Sequence, residues 1–331
     1  MKIQNNRRRV LRVMALGTGA VMAPGKLWSK GVDAAKLYTW NGKALGAETS
    51  IQLYSNDQVE TKKALNGAQK IIEQYEALFS LYDPNSLTVA LNKTGKVINP
   101  HKKFVELLTL SKSFHEITGG AFDISIQPLW DVYKDHFSRK TNGLLEQEIA
   151  SVQGLVGSEN IIVSTEKVAF RKQHMSVSFN GIAQGYITDK VTEYLKGKGF
   201  NNVLVDMGEY RAVGAQENGD PWRIGLLDPF DTVSITDVVE MKSGAVATSG
   251  GYGNQFDASG KYHHLFNPKT GLSSAHYASV TVRANDATTA DALSTAFSNM
   301  SQAQIRKVLN VHNDIDVRLT SQNGTIHHIH S

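Results

Sequence analysis

The spacing of apolar residues along this chain changes several times, and each change marks an element. After a turn at Gly46, residues 47–53 alternate apolar and polar, which predicts a strand. Ala64, Ala68, Ile71, Ile72, Tyr75, Leu78 and Phe79 fall on one helical face, predicting a helix from Val59 to Leu81 that closes in the turn Tyr82–Ser86. Phe104, Leu107, Leu108 and Phe114 predict a second helix over His101–Ile117, broken by Thr118-Gly119-Gly120. Residues 131–160 are polar and carry no clear period. Short strands follow at 161–163 and 177–179, then a helix over Ile187–Lys196, a strand over Asn202–Asp206, and strands through Ile224, Val239 and Val246. A last helix spans Thr288–Met300. Its buried face is Ala290, Leu293, Ala296, Phe297 and Met300, and Asp286 and Thr288 offer capping oxygens. His327, His328 and His330 form a short polar tail, expected to be disordered. Strands and helices are intermixed without regular βα alternation, so the expected class is α+β.

The front of the chain changes the charge picture. Paired arginines (Arg7, Arg8, Arg9) precede a weakly apolar run from Val13 to Ala23, then small residues up to Ala34 and Ala35. That order reads as a secretory leader of the twin-Arg (Tat) type over residues 1–34, with a periplasmic destination and a mature region of 36–331. The run is too short for a bilayer span, which takes about 20 residues. Residues 1–34 hold seven basic groups and one acidic group. The remainder has 28 basic and 30 acidic groups, a net of −2. The basic isoelectric point therefore belongs largely to the leader and is no argument for nucleic-acid binding. The chain has no cysteine, which excludes thiol catalysis, Cys-ligated zinc and iron–sulfur clusters.

Candidate chemistry gathers on a few stretches. Asp291 and Thr295 sit four apart on the last helix, hence one turn above the other. A carboxylate and a hydroxyl so stacked suit a hard cation such as Mg²⁺, although an ordinary surface pair has the same spacing. Three glycine-rich turns stand out: 118–123, 180–186 and 248–253. The second opens a helix and suits a phosphate, or is an ordinary strand-to-helix turn. His263-His264 leads into Asn267-Pro268-Lys269-Thr270-Gly271 and offers an acid–base group, or an exposed pair on a loop.

Taken in order, these stretches resemble the ApbE family of FAD:protein FMN transferases. The matching pieces include A-L-G-A at 44–47, L-Y-D-P-N-S at 81–86, T-G-G-A-F-D at 118–123, N-G-I-A-Q-G-Y at 180–186 and V-D-M-G-E at 205–209. They continue with A-T-S-G-G-Y at 247–252, H-H-L-F-N-P-K-T-G at 263–271, S-V-T-V at 279–282 and T-A-D-A-L-S-T at 289–295. The resemblance implies an α+β fold of two interlocked lobes, related to the T-fold, with FAD between them. It implies a Mg²⁺-dependent transfer in which a Thr or Ser hydroxyl of a partner flavoprotein takes FMN as a phosphoester and AMP leaves. It also implies roles for particular residues. Asp291, Thr295 and the Ala183 carbonyl would hold the metal, with Ser294 close by. Tyr82, Ala121, Phe122, Asp123, Asn180, Tyr186 and the Leu265 backbone would contact the flavin nucleotide. Leu45 would lie against the flavin ring, and His264 would carry the proton, beside Asp291, at the reacting phosphate.

The chain departs from the family pattern at four places, one of them Met207-Gly208-Glu209 where members often read G-G-D or G-G-E. Gln184 stands where many members have Lys, Gly251 where they have Asp in S-G-D-Y, and Asn267 where they have Asp before Pro. Two readings therefore stand beside the transferase: an FAD-binding protein without transfer activity, and a Mg²⁺-dependent FAD pyrophosphatase giving FMN and AMP. The leader without a lipid-bearing Cys, with G-G-Y-G and H-L-F-N-P, resembles the NosX-like branch, linked to flavinylation of the membrane protein NosR in nitrous oxide reductase maturation.

Overall fold

The computed structural model describes residues 35–139, 143–312 and 314–331. The expected leader, 1–34, lies outside the described residues. An eight-stranded antiparallel sheet runs through the molecule in the order β1 (Lys36–Ala44), β2 (Ala47–Ser55), β6 (Val203–Asp206), β7 (Tyr210–Val213), β10 (Ser243–Gly250), β11 (Tyr277–Ala284), β12 (Asp316–Ser321), β13 (Ile326–His330). Strand periodicity sorts its two faces. Val203 and Val205, like Ala245 and Ala247, point into the main core with the helices. Their neighbours Leu204 and Val246 point the other way, onto the hairpin of β8 (Trp222–Leu227) and β9 (Ile235–Met241) through Trp222, Ile224 and Met241. The α+β class expected from the sequence is the one observed.

The main core is closed by α1 (Gln58–Phe79), α3 (Lys102–Ile117), α6 (Ala183–Gly197) and α7 (Ala287–Phe297). Asp57 starts α1 by accepting the Val59 and Glu60 amides. A smaller sheet joins β3 (Lys96–Ile98), β5 (Lys167–Phe170) and β4 (Ile161–Val163). A third apolar cluster ties α4 (Gln127–Arg139) and α5 (Leu145–Gln153) to the 256–266 loop through Leu129, Tyr133, Ile149 and Phe266.

Several expectations are corrected. The stretch 131–160, read as uninformative, supplies most of α4 and all of α5. Residues 177–179 are not a ladder strand. The Val177 backbone pairs with the Asn92 side-chain amide in both directions, and the Ser178 N–H goes to the Ile124 carbonyl. The C-terminal histidines are ordered on β13, where His327 pairs with Leu319 and His330 with Asp316. Short elements α2 (Leu87–Thr94), β3, β5, α8 (Gln302–Leu309) and β12 escaped periodicity altogether, because a few residues cannot display one.

Candidate functional site

The site is built where α6 meets α7. A Cβ at Gly185 would lie 2.2 Å from the Ala287 carbonyl oxygen, so the two helices touch backbone to backbone. At this contact the Gly185 N–H donates to Asp291 Oδ2 over 3.0 Å. One turn along α7, Thr295 packs under Gly181, where an added Cβ would come within 2.9 Å of Thr295 Oγ1. Ser249, at the end of β10, brings its hydroxyl to 2.8 Å from Ser294 Oγ and 3.4 Å from Thr295 Oγ1. One buried carboxylate and three hydroxyls thus converge, with no sulfur or imidazole among them. This donor set fits Mg²⁺ or Ca²⁺ and leaves room for substrate phosphates and water. Ala183, fully buried, begins α6 two residues before the contact.

A second anchor fixes α7. The Asp189 carboxylate, on α6, accepts the Ala287 N–H at 2.8 Å, the Thr288 N–H at 2.9 Å and the Thr288 hydroxyl. Arg211 of β7 donates to the same group at 2.7 Å. An anion at a helix N-terminus is favourable for the unpaired amides there. Burial pushes this carboxyl up from its usual range, and Arg211 partly offsets that.

The facing wall is loop. The His264 N–H and its ring Nδ1 both approach the Asn254 carbonyl, at 3.1 and 3.2 Å. A carbonyl only accepts, so Nδ1 carries a proton and donates it to this contact. His263, buried, places Nε2 at 2.8 Å from the Ser274 carbonyl and takes the Leu265 N–H on Nδ1 at 3.3 Å. Burial pushes its pKa down, so it is a neutral brace for the loop that carries His264. Between the two walls lies a cleft of about 1090 Å³ counted together with the solvent at its open mouth. Ala121, Phe122, Asp123, Asn180, His264, Leu265, Asp291 and Thr295 all line it.

The sequence pattern of the ApbE family matches residues 45–319. The chain belongs to the ApbE family. It is 27% identical over 295 residues to the FAD:protein FMN transferase of Haemophilus influenzae, covering 84% of this chain and 85% of that one. Identity to the enzyme of the same name from Vibrio cholerae is 26%, covering 79% and 81%. The ApbE protein of Thermotoga maritima superposes with a TM-score of 0.77 at 28% identity, covering 88% of this chain and 96% of that chain.

Four residues that the ApbE resemblance assigned to the site stand apart from the cleft lining. Tyr186 is buried against Tyr75 and Phe79, and its hydroxyl donates to Glu106 at 2.6 Å. It props α6 against α3. Leu45 is buried in the hairpin turn at a left-handed φ of 49°, its N–H on Glu76, and Tyr82 lies over the adjacent Gly46. Ala183 is enclosed in the core with no lining surface. Asp123 does line the cleft, but its oxygens are taken by the Ser125 and Ser158 amides and hydroxyls and by His115 Nδ1 at 3.1 Å. Burial raises its pKa, and these hydrogen bonds outweigh that and bring it below the usual range. Its work is to hold the 118–125 turn.

The departures from the ApbE pattern have physical counterparts. Gln184 donates to the Met207 carbonyl at 3.2 Å and fills the space beside Gly208, whose φ is +105°. Asn267 Oδ1 accepts the Lys269 N–H, so the amide still makes the turn an aspartate would make. A Cβ at Gly251 would fall 2.5 Å from His263 Cδ2, so the histidine ring occupies the volume of a larger residue there. Sequence reasoning missed Ser249, Gln127, Trp130, Ser178 and Glu209 as cleft residues. Ser249 could have been found from its glycine turn and Glu209 from the V-D-M-G-E piece; Gln127, Trp130 and Ser178 carry no local signal.

Proposed function

We propose that this chain is a periplasmic FAD:protein FMN transferase, exported by the twin-Arg route. The observation that carries the reading is the convergence of Asp291, Ser249 and Thr295 with His264 on one cleft, with Ser294 hydrogen-bonded behind Ser249. The names of its relatives support it. Asp291 and Thr295 would hold Mg²⁺, which when bound supplies charge neutralisation on the FAD pyrophosphate. The Gly181–Gly185 turn lets the backbone approach the phosphates closely. In the transfer, the acceptor Thr or Ser oxygen forms a bond to the phosphorus of the FMN half. The bond from that phosphorus to the bridging oxygen breaks, and AMP departs with the electron pair. His264 Nε2 takes the hydroxyl proton. The leader and the G-G-Y-G wording favour a membrane protein with a periplasmic domain, of the NosR kind, as acceptor.

The test incubates purified protein with FAD, Mg²⁺ and an acceptor domain and reads flavin fluorescence on the acceptor in a gel. Labelling by the wild type, lost at least a hundredfold in Asp291→Ala, is the expected result. No labelling, or equal labelling by the variant, would sink the reading. Release of FMN and AMP without acceptor would favour the pyrophosphatase.

A further inference from the structure

The three hydroxyls that meet at the α6–α7 corner form a chain with a direction. Ser249 follows Ala245 and Ala247 on the core face of β10, which turns its side chain onto α7. Its Oγ lies 2.8 Å from Ser294 Oγ and 3.4 Å from Thr295 Oγ1. Ser249 and Thr295 line the cleft, and Ser294, 1% exposed, lies behind them. Ser294 Oγ in turn donates to the Asp291 carbonyl at 3.0 Å.

Each hydroxyl has one proton to give and two lone pairs. A carbonyl only accepts, so the Ser294 proton is committed to Asp291. Ser294 can then meet Ser249 only as an acceptor, and Ser249 uses its one proton there. Ser249 can therefore meet Thr295 only as an acceptor. The Thr295 proton is drawn to Ser249, and its lone pairs are left for the cleft. The usual alternative for a threonine inside a helix is the carbonyl four residues back. For Thr295 that is the Asp291 carbonyl, which already takes the Ser294 hydroxyl.

We infer that Ser249 and Ser294 are positioning residues: the relay from Thr295 through Ser249 and Ser294 to the Asp291 carbonyl holds the Thr295 hydroxyl with its lone pairs toward the cleft. A hydroxyl turned the other way would present its proton to a cation and repel it. Partners behind a ligand orient it and strengthen it as a donor. The relay starts and ends on Thr295 and Asp291, so it also ties the two side chains' turn of α7 to β10. The inference rests on the reading of Asp291 and Thr295 as metal-holding residues, and it puts Ser294 behind the ligands rather than among them.

The test titrates Mn²⁺ into the full chain, freed of nucleotide, and follows unbound Mn²⁺ by electron paramagnetic resonance, with Mg²⁺ as competitor. Ser249→Ala is expected to weaken binding about tenfold. Ser294→Ala should weaken it by about threefold or more, although Ser294 lies behind the cleft, because the Ser249 proton is then free to turn on Thr295. The double variant should bind no worse than Ser249→Ala, since both changes cut one chain. FAD affinity measured in EDTA should be the same in wild type and all three variants. Unchanged metal affinity in Ser294→Ala, or losses that add in the double variant, overturns the relay. A fall in metal-free FAD affinity that tracks the fall in metal affinity also overturns it, since the corner would then have lost its shape. Wild type that binds Mn²⁺ with no response to either serine defeats this inference alone. Wild type that binds no Mn²⁺, with or without FAD, defeats the metal reading of Asp291 and Thr295 and this inference with it.

Discussion

The two walls of the cleft are held in different ways. The α6–α7 corner is held by backbone: Gly185 against the Ala287 carbonyl, Gly181 against Thr295, and Asp189 on the first amides of α7. The facing wall is held by side chains on loops: His115 and two serines on Asp123, and His263 between Leu265 and Ser274. Backbone contacts tolerate almost no change of residue, whereas side-chain networks can be rebuilt with other groups. The departures from the family pattern fall on both walls: Gln184 and the Met207 it bonds lie by the corner, where Asp291 and Thr295 match the pattern, while Gly251 and Asn267 lie on the loop wall.

The comparison predicts its largest effect at Asp189. Asp189→Ala removes the nearer of the two carboxylates beside the half-buried Arg211 guanidinium, leaving Glu193 at 3.7 Å, and leaves the buried Ala287 and Thr288 amides without their acceptor. Removing one partner of such a pair costs about 3–5 kcal/mol, read as a shift of the urea midpoint. A loss below about 1 kcal/mol would mean that the corner stands without its anchor. Gly185→Ala comes next. Its methyl must displace the Ala287 carbonyl, which is backbone and cannot rotate away. Overpacking of this kind costs about 1–3 kcal/mol. The variant should also lose labelling activity out of proportion to its stability, because the Gly185 N–H positions Asp291.

The same division explains what could be read from sequence. Asp291, Thr295 and the glycine turns were legible because their spacing is local and a helix period converts it directly into shared geometry. The long helices α1, α3 and α7 were legible for the same reason, within a few residues at their ends. Asp189 was invisible: it lies 98 residues from Ala287, and nothing near it in sequence announces the pairing. Tyr186 and Asp123 show that motif position does not say which way a side chain faces. Tyr186 turns into an aromatic cluster, and the Asp123 carboxylate is consumed by its own turn and Ser158. α4 and α5 were missed because their apolar residues pack on a loop, with Tyr133 and Ile149 each beside a charged neighbour.

On the loop wall the predicted effect is smaller and reversible. Gly251→Asp would restore the family carboxylate but collide with the His263 ring. Alone it should destabilise by about 1–2 kcal/mol. His263→Ser vacates the ring volume but gives up the bond to the Ser274 carbonyl. The double variant should recover part of both losses, a coupling of about 1 kcal/mol in a double-mutant cycle. Additive losses would show that the ring and the glycine are unrelated, and the compensating pair would then be a coincidence.

The smallest effect is a pH dependence of opposite sign at two histidines on this same wall. His115 has a raised pKa, so the folded state holds its proton better than the unfolded chain. Its contribution is fully present below the unfolded value of about 6.5 and fades as pH rises through the folded pKa. His263 has a lowered pKa, so unfolding lets it take up a proton. Its neutral form costs nothing above about 6.5 and penalises the fold as pH falls below that. Melting temperature measured from pH 5.5 to 8.5 separates the two. The difference between wild type and His115→Gln should shrink toward high pH, and the difference between wild type and His263→Ser should shrink toward low pH, each by about 1 kcal/mol at most. The α6–α7 corner tests the contrast from the other side. Its Gly185→Ala deficit should stay level across the same range, because the clash with the Ala287 carbonyl carries no titrating group.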